Sequence, residues 1–536
     1  MIRIASVRVA LFVALTSGIL NAAAPALAQG SGAASRPNIV MIISDDMGYS
    51  DLGCYGGEIE TPHLDELAAG GLRFANYYSN NMCVVARASL MTGCYPGVAK
   101  PRGSLNPNCV TAPELLRNAG YTTLMSGKWH LSDEGREGSP NDRGFDHWYG
   151  TYMGAGSFFT PASLTRDDRN VEHEFRENPD YYYTDAITDN AINFLNDSHT
   201  KAPDKPFFLY LAYTAAHWPL HAKEEDIAHY KGRFSMGWDK LRKQRHARLK
   251  KMGLVDPKWP LSPRHPDVPA WQDEEHKAWQ ERRMEVYAAQ VTSMDRNIGR
   301  VVKWLRDRGR LDNTLILYQN DNGGCHVEYT RTRKGAYLPE KTRDGRPVIP
   351  GNRPDVMPGP ENTYQSYGYG WANASNTPFR LFKQHDHEGG IRSPLIAHWP
   401  AGIAARGDIT KQVCHVTDLL PTFIELAGTK YPNQFNGNRI VPHVGRSLVR
   451  ALEGDKAPAR ESYFWKHSRG KAVRIDDWKL VSENRKPWEL YRLTPDGTEL
   501  DDLAGSHPQK AAELRKRFED WDTRTNKKPA KKKKRK

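Results

Sequence analysis

Four short apolar segments, each followed at once by polar residues, constrain the fold of this 536-residue chain more than any other feature. They show no polar alternation and are rich in β-branched or aromatic side chains, which is typical of strands buried on both faces. Amphipathic helical stretches separate them, so the pattern predicts an α/β fold in which a large, mostly parallel sheet is flanked by helices. The segments are residues 38–44, 121–125, 207–212 and 314–318.

The C-terminal part has a different pattern, in which short strand-like segments alternate with turns and a helical segment follows. This predicts a smaller C-terminal antiparallel sheet with a packing helix. The strand-like segments are residues 471–475, 478–481 and 488–491, and the helical segment is 509–521. We therefore expect a main domain over residues 30–450 and an α+β subdomain over residues 451–525.

Residues 230–282 are unusually rich in Lys, Arg, Trp and Pro. Such a segment is typical of a long insertion over the edge of a sheet, where substrate specificity is often built. A purely structural wrap around the sheet is the equal alternative.

Both ends of the chain have a composition of their own. Residues 1–28 combine a basic start, an apolar stretch and Ala26-Leu27-Ala28, which is the pattern of a secretory signal peptide cleaved after Ala28. The apolar stretch is too short for a membrane span and no longer one follows. We expect a periplasmic or secreted protein without a transmembrane segment, ending in a disordered basic tail over residues 526–536.

The net charge of +13 comes mostly from these two ends. Eight positive charges lie in the tail and two in the signal segment, which leaves the rest of the chain at +3. The tail has the charge to bind an anionic polysaccharide, lipid or nucleic acid, and a solvated tail without a partner is the alternative. Because the rest of the chain contains no nucleic-acid-binding motif, no specific nucleic-acid partner is expected.

Acidic and amide side chains follow two of the predicted strands. Asp45 and Asp46 follow the first, and Asp321 and Asn322 follow the last. Because ligands of parallel sheets bind beyond the carboxyl ends of the strands, we expect these residues to meet. They offer only oxygen ligands, which suits a hard cation such as Ca²⁺ or Mg²⁺. Alternatively, Asp45 and Asp46 cap a helix, and Asp321 and Asn322 belong to a turn.

Positively charged and titratable side chains follow the other strand ends. Lys128 and His130 lie two residues apart after the second strand, and His217 follows the third. Lys383 precedes a segment rich in histidine and glycine. Together these four side chains have the charge to bind a tetrahedral anion, although a single lysine or histidine is more often structural.

An isolated cysteine stands at the start of a predicted helix, four residues before an arginine. Cys83 and Arg87 therefore share one helix face, with Cys83 near the unpaired N–H groups of the first turn. A nucleophile beside a fixed guanidinium suits attack on an oxyanion ester, whereas a small buried cysteine on a core helix is the simpler interpretation. Among the six cysteines there is no zinc spacing, and Cys94 with Cys109 is a candidate disulfide.

Taken together, the motifs resemble the type I, formylglycine-dependent sulfatases of the alkaline-phosphatase-like superfamily, and the chain looks most similar to the arylsulfatases. The resemblance covers almost the whole mature chain, and residues 30–450 would be the catalytic domain. It is carried by Asp45-Asp46, the cysteine segment 83–93, Gly127-Lys128-Trp129-His130, Arg143-Gly144-Phe145-Asp146, Ala216-His217-Trp218-Pro219, Asp321-Asn322-Gly323-Gly324 and residues 376–400.

The resemblance implies a role for each candidate residue. Cys83 would be oxidised by a maturation enzyme to formylglycine, and its hydrate would supply the nucleophile. Arg87 would stabilise that hydrate, and His130 would contact its second hydroxyl. Lys128, His217 and Lys383 would bind the sulfate of a small sulfate ester or sulfated saccharide, with His217 or Lys383 protonating the leaving oxygen. The metal would be Ca²⁺, held by Asp45, Asp46, Asp321 and Asn322.

One part of the signature departs from the family pattern. The family normally has Cys-x-Pro-Ser-Arg or Cys-x-Ala-Ser-Arg, whereas here Val85 and Ala86 precede Arg87. This departure opens one alternative, a catalytically silent protein that binds sulfated glycans because Cys83 is not converted. A phosphonate monoester or phosphodiester hydrolase is a second alternative, because related sites act on similar tetrahedral anions, although residues 376–400 argue against it.

Overall fold

The computed structural model describes residues 36–101, 103–404, 406–455, 460–468, 470–483 and 486–525. The predicted signal segment and the basic tail lie outside these residues. Among the residues described, no helix is both long and apolar enough to cross a membrane. The limits of the predicted domains at residues 450 and 451 stay predictions.

The strands are, in chain order, β1 (Asn38–Ser44), β2 (Leu72–Tyr78), β3 (Thr122–Lys128), β4 (His147–Thr151), β5 (Leu164–Arg166), β6 (Arg169–Asn170), β7 (Phe207–Ala212), β8 (Thr314–Asn320), β9 (Ile349–Pro350), β10 (Thr363–Tyr364), β11 (Arg392–His398), β12 (Asp408–His415), β13 (Gln434–Phe435), β14 (Asn438–Arg439), β15 (Tyr463–His467), β16 (Gly470–Ile475), β17 (Trp478–Glu483) and β18 (Glu489–Arg492).

The α-helices are α1 (Pro62–Ala69), α2 (Cys83–Thr92), α3 (Pro96–Ala99), α4 (Ala112–Asn118), α5 (His173–Glu177), α6 (Tyr183–Lys201), α7 (Glu224–His229), α8 (Gly237–Met252), α9 (Lys277–Asp307), α10 (Gly368–Ser375), α11 (Glu388–Ile391), α12 (Leu419–Leu426), α13 (Val449–Leu452) and α14 (Pro508–Thr525).

A ten-stranded mixed sheet in the order β12-β2-β11-β8-β1-β7-β3-β4-β5-β6 forms the centre of the fold. The four predicted strands are its neighbouring inner strands β8, β1, β7 and β3, and all pair in parallel. Strand β11 runs antiparallel between β8 and β2. The predicted α/β class with a large, mostly parallel sheet is confirmed, and the sequence pattern missed β2, β4 and β11.

Strand β1 explains why the apolar segments lack alternation. Val40 and Ile42 pack into a core with α6 and α9 on one face of the sheet. Ile39 and Met41 pack on the other face with α2, α4 and α12. Every residue of β1 is buried, because helices cover both faces of the sheet.

The C-terminal sheet consists of β15 to β18, all antiparallel. Helix α14 covers one face with Leu514, Phe518 and Trp521. On the other face Trp465 packs against Tyr78 at the end of β2. The predicted smaller antiparallel sheet with a packing helix is confirmed, and it lies against the main sheet.

Residues 230–282 form α8, extended segments and the first residues of α9, and they pack on the helical layer. Trp238 of α8 contacts Trp371 of α10, with ring centroids 5.4 Å apart. No residue of this segment lines the cavity described below. These contacts favour the structural wrap over the specificity insertion.

Candidate active site

The register of the parallel strands brings the predicted metal ligands together. Ser44 at the end of β1 lies opposite Asn320 at the end of β8, so Asp45 and Asp321 emerge side by side. The backbone N–H of Asp46 donates to Asp321 Oδ1 at 3.1 Å. Asp46 has φ of 62°, a left-handed conformation that is uncommon for a residue with a side chain and is often found at functional sites.

Helix α2 places Cys83 and Arg87 over this edge of the sheet. Cys83 is its first residue, after Met82 in an extended conformation, and the helix ends at Gly93, whose φ of 64° suits glycine. Arg87 is fully buried. Its Nη2 donates to Asp321 Oδ2 at 3.0 Å and its Nη1 to the carbonyl oxygen of Lys128 at 3.1 Å. The predicted first-turn position of Cys83 is therefore correct.

Two lysines pair with the strand-end carboxylates. Lys128, the last residue of β3, places Nζ 2.5 Å from Asp45 Oδ2. Lys383 places Nζ 2.7 Å from Asp46 Oδ1 and 3.8 Å from Cys83 Sγ. Although burial opposes it, the Asp46 carboxylate raises the pKa of Lys383 well above its usual value. Positive charge thus lies directly beside the cysteine.

Two histidines complete the group. His130 Nδ1 lies 3.5 Å from Cys83 Sγ, and His217 Nε2 lies 3.2 Å from Asp46 Oδ2. Burial lowers the pKa of His217 to about 3 and that of His130 well below its usual value. Burial likewise raises the pKa of the Cys83 thiol. All ten residues predicted as catalytic or metal-binding therefore come together around Cys83 and the carboxyl edge of the sheet.

The structure itself supports a metal site at this edge. Asp45 Oδ1 and Asn322 Oδ1 are buried and have no hydrogen-bond donor among the described residues. Asn322 Nδ2 donates to Asp46 Oδ1 at 2.7 Å, which fixes the direction of the amide. Buried oxygens without a donor cost free energy unless a cation or water binds them. Carboxylate and amide oxygens together suit a hard divalent cation.

A cavity of about 480 Å³ opens above Cys83, a volume that fits a small ligand such as a sugar ring. Its floor contains Cys83, His130, His217 and Lys383. Gly154 lies against the His130 ring so closely that a Cβ atom there would collide with it. Further lining residues that the sequence pattern did not identify include Lys100, Trp218, Cys325, Arg333 and Tyr337.

Some of the residues missed had a signal in the sequence and others had none. Cys325 directly follows the Asp321-to-Gly324 cluster, so its position already suggested proximity to the site. Tyr210, whose hydroxyl accepts from Arg87 Nη1 at 3.5 Å, lies inside a buried apolar strand and gave no signal. The candidate disulfide is not formed: all six cysteines are free, and the Sγ atoms of Cys94 and Cys109 lie 3.9 Å apart.

Comparisons with known proteins agree with this geometry. A family model described as Sulfatase matches residues 37–429, and one described as N-sulphoglucosamine sulphohydrolase, C-terminal, matches residues 379–524. An uncharacterized sulfatase of Schizosaccharomyces pombe is 32% identical over 89% of this chain and 92% of its own length. The arylsulfatase of Klebsiella aerogenes is 34% identical over 79% of this chain and 94% of its own.

A solved structure extends the comparison to three dimensions. The crystal structure of Ps i-CgsB in complex with k-i-k-neocarrahexaose superposes with a TM-score of 0.65 at 26% identity. The superposition covers 92% of this chain and 94% of that one. The similarity therefore includes both the main sheet and the C-terminal sheet.

Proposed function

Because the chain belongs to the sulfatase family and is a sulfuric ester hydrolase, we propose that it cleaves sulfate esters of carbohydrates with a nucleophile made from Cys83 beside Ca²⁺. The observation that carries this proposal is that His130 Nδ1 and Lys383 Nζ both lie within 4 Å of Cys83 Sγ. Three buried carboxylates lie beneath this group. A saccharide substrate is supported by the cavity volume and by the carbohydrate in the complex of the structural relative.

Asp45, Asp46, Asp321 and Asn322 would hold the calcium ion. When bound, Ca²⁺ stabilises negative charge on the sulfuryl oxygens and the nucleophile. The two buried oxygens without a donor, Asp45 Oδ1 and Asn322 Oδ1, support this assignment. Arg87 holds Asp321 in place through two guanidinium nitrogens, and thereby orients one of the ligands.

The surroundings of Cys83 fit the role of a formylglycine. Once converted, its hydrated aldehyde supplies the hydroxyl that attacks sulfur. Lys383 Nζ, 3.8 Å from the cysteine sulfur, holds positive charge where an oxyanion develops. His130, whose Nδ1 lies 3.5 Å from the cysteine sulfur, would accept a proton from the second hydroxyl of the converted residue.

Lys128 and Lys383 orient the sulfate group. Lys383, or His217 when the bound anion favours its protonated form, donates the proton that the leaving oxygen takes up. His217 Nδ1 contacts the carbonyl oxygen of Trp218 at 2.7 Å, which fixes the ring and turns Nε2 toward the site. Because these side chains are buried, few waters compete with their hydrogen bonds to the sulfate.

The mass of the peptide containing Cys83, from protein made in the native host, tests the nucleophile. Conversion to formylglycine removes one sulfur and two hydrogens and adds one oxygen. Hydrolysis of 4-nitrophenyl sulfate should accompany conversion and should be lost in Cys83→Ala. An unmodified thiol in folded, inactive protein would overturn the proposal in favour of a glycan-binding protein.

The same preparation separates sulfate from phosphorus substrates. We expect kcat/KM for 4-nitrophenyl sulfate to exceed that for phenyl phosphonate monoesters and bis-4-nitrophenyl phosphate. The reverse order would point to a phosphonate monoester or phosphodiester hydrolase.

Secretion through the predicted signal segment belongs to the same proposal, because it would expose the enzyme to sulfated saccharides outside the cytoplasm. N-terminal sequencing of the mature protein from culture medium or periplasm should begin at Gln29. A protein found only in the cytoplasm with residue 1 or 2 at its N-terminus would contradict this localisation.

A further inference from the structure

The wall of the cavity beside His217 contains an arginine that packs on two aromatic rings. The guanidinium carbon of Arg333 lies 4.8 Å from the ring centroid of Trp218 and 5.1 Å from that of Tyr329. Its Nε donates to the Tyr337 hydroxyl at 3.2 Å. The Trp218 ring in turn packs on His217, with centroids 4.4 Å apart. The guanidinium thus packs on two aromatic rings, next to a residue of the candidate site.

The terminal nitrogens of Arg333 remain available. Among the described residues, no carboxylate lies within 4.0 Å of Arg333, and neither Nη1 nor Nη2 has a hydrogen-bond acceptor. Neighbouring arginines differ in this respect, since Arg343 pairs with Glu361 and Arg283 with Glu328. Arg333 is partly exposed and lines the cavity. Its two Nη groups can therefore receive a planar or tetrahedral anion in a bidentate manner.

The opposite wall of the cavity does not offer the same feature. Lys100 lines it, but Asp133 and Glu134 lie on that wall as well. Lys100 Nζ also donates to the carbonyl oxygen of Leu131 at 3.4 Å. Asp133 interacts electrostatically with Lys100, whereas no carboxylate of the described residues lies within 4.0 Å of Arg333.

From this geometry we infer that Arg333 binds a second anionic group of the substrate, either a second sulfate on the sugar that carries the scissile ester or a carboxylate on the neighbouring sugar. This inference rests on the proposed function and narrows it to saccharides with at least two anionic groups. Because Arg333 is already immobilised by the rings, little side-chain entropy is lost on binding. The interaction is made in the ground state and the transition state alike, so it should act mainly on KM.

Matched pairs of ligands test the inference. Glucosamine 2-N,6-O-disulfate is compared with N-acetylglucosamine 6-sulfate for the sulfate source. Glucuronic acid linked to N-acetylglucosamine 6-sulfate is compared with the corresponding glucose disaccharide for the carboxylate source. The variants are Arg333→Gln and, as a matched control, Arg331→Gln, which changes an exposed arginine of the same loop that does not line the cavity.

We expect Arg333→Gln to lower kcat/KM for one dianionic ligand by roughly 10- to 100-fold, through KM, because it removes hydrogen bonds to a charged group. Hydrolysis of the monoanionic partner and of 4-nitrophenyl sulfate should change less than about twofold in this variant. Arg331→Gln should leave kcat/KM unchanged for both the dianionic and the monoanionic ligands. The pair that responds identifies the source of the second charge.

Binding measured without turnover keeps this test independent of the nucleophile. In a Cys83→Ala background, calorimetric titration should give tighter binding of the dianionic ligand, and Arg333→Gln should abolish that preference. Equal affinities within both pairs, or an equal loss for monoanionic and dianionic ligands, would overturn the inference for Arg333. Absence of hydrolysis in the converted wild-type protein would instead overturn the proposed function.

Discussion

A buried lysine of the C-terminal sheet connects that sheet to the loop that carries Lys383. Lys479 of β17 is fully buried, and its Nζ lies 2.8 Å from Glu388 Oε1 and 2.8 Å from Glu499 Oε1. Glu388, five residues after Lys383, also pairs with Arg392 at 3.1 Å. We predict that Lys479→Met destabilises the protein and weakens activity through the displaced loop.

The structure sets the size of this effect. Removing one partner of a buried ion pair costs about 3–5 kcal/mol, because the remaining charge stays buried. Despite its burial, Lys479 and Arg392 lower the pKa of Glu388 from 4.5 to about 2. The direction of that shift agrees with a stabilising charge interaction, part of which Arg392 and Arg474 supply and would still supply in the variant. Methionine fills a similar volume, so the loss is mainly electrostatic.

The sign of the pH dependence follows from the lowered pKa of Glu388. Its stabilising effect is present above about pH 4.5 and is lost as the pH falls toward 2. In Lys479→Met the pKa of Glu388 rises, so the difference in stability between wild type and variant should be largest at pH 7 and should shrink below pH 4.5.

Urea unfolding followed by tryptophan fluorescence measures this difference at pH 7 and pH 4. Lys466→Met is the matched control, because Lys466 lies on the same sheet and pairs with Asp522 at the surface. The control should lose less than about 1 kcal/mol. Adding Glu388→Gln to Lys479→Met should recover part of the loss. A loss in Lys479→Met no larger than in the control, or independent of pH, would refute the reasoning.

Three further predictions concern the site and its supporting residues. In differential scanning fluorimetry, Ca²⁺ at about 100 times its Kd should raise the Tm of EDTA-treated wild type, which corresponds to about 2.7 kcal/mol of added stability. An equal rise in Tm for Asn322→Ala would contradict the metal assignment. Gly154→Ala should lower kcat/KM for 4-nitrophenyl sulfate more than about tenfold with little change in Tm, because the new Cβ displaces the His130 ring; unchanged activity would be inconsistent with a role for that ring. Burial raises the pKa of Asp386 to about 7, so its contribution to stability is lost as the pH rises from about 4 to 7. Asp386→Asn should therefore raise Tm relative to wild type more at pH 8 than at pH 5, and a lower Tm at pH 8 would contradict this.

The sequence by itself determined the inner strands and the polar residues at their ends. A strand buried on both faces has to be apolar along its length, so β1, β7 and β8 were visible as continuous apolar segments. Because neighbouring parallel strands end at the same edge, the polar residues after them had to meet there. The proximity of Asp45 and Asp321 could therefore be predicted without knowledge of long-range packing.

Tertiary structure decided how the remaining residues reach this edge. Cys83 follows β2, which pairs with the antiparallel strand β11, and neither strand was predicted. Lys383 comes from a loop that is fixed by the C-terminal sheet through Glu388. Their positions depend on contacts between segments about 300 residues apart, and no local periodicity encodes such contacts.

The residues of the cavity wall likewise could not be predicted from local sequence. The composition of residues 230–282 left a specificity insertion and a structural wrap equally open, and in the structure that segment covers the helices. Arg333, Trp218 and Tyr337 form the wall instead, through stacking of side chains from two loops. Local sequence determines secondary structure and strand ends because these follow from the periodicity of burial, whereas a cavity is shaped by the packing of distant loops and exists only in the folded chain.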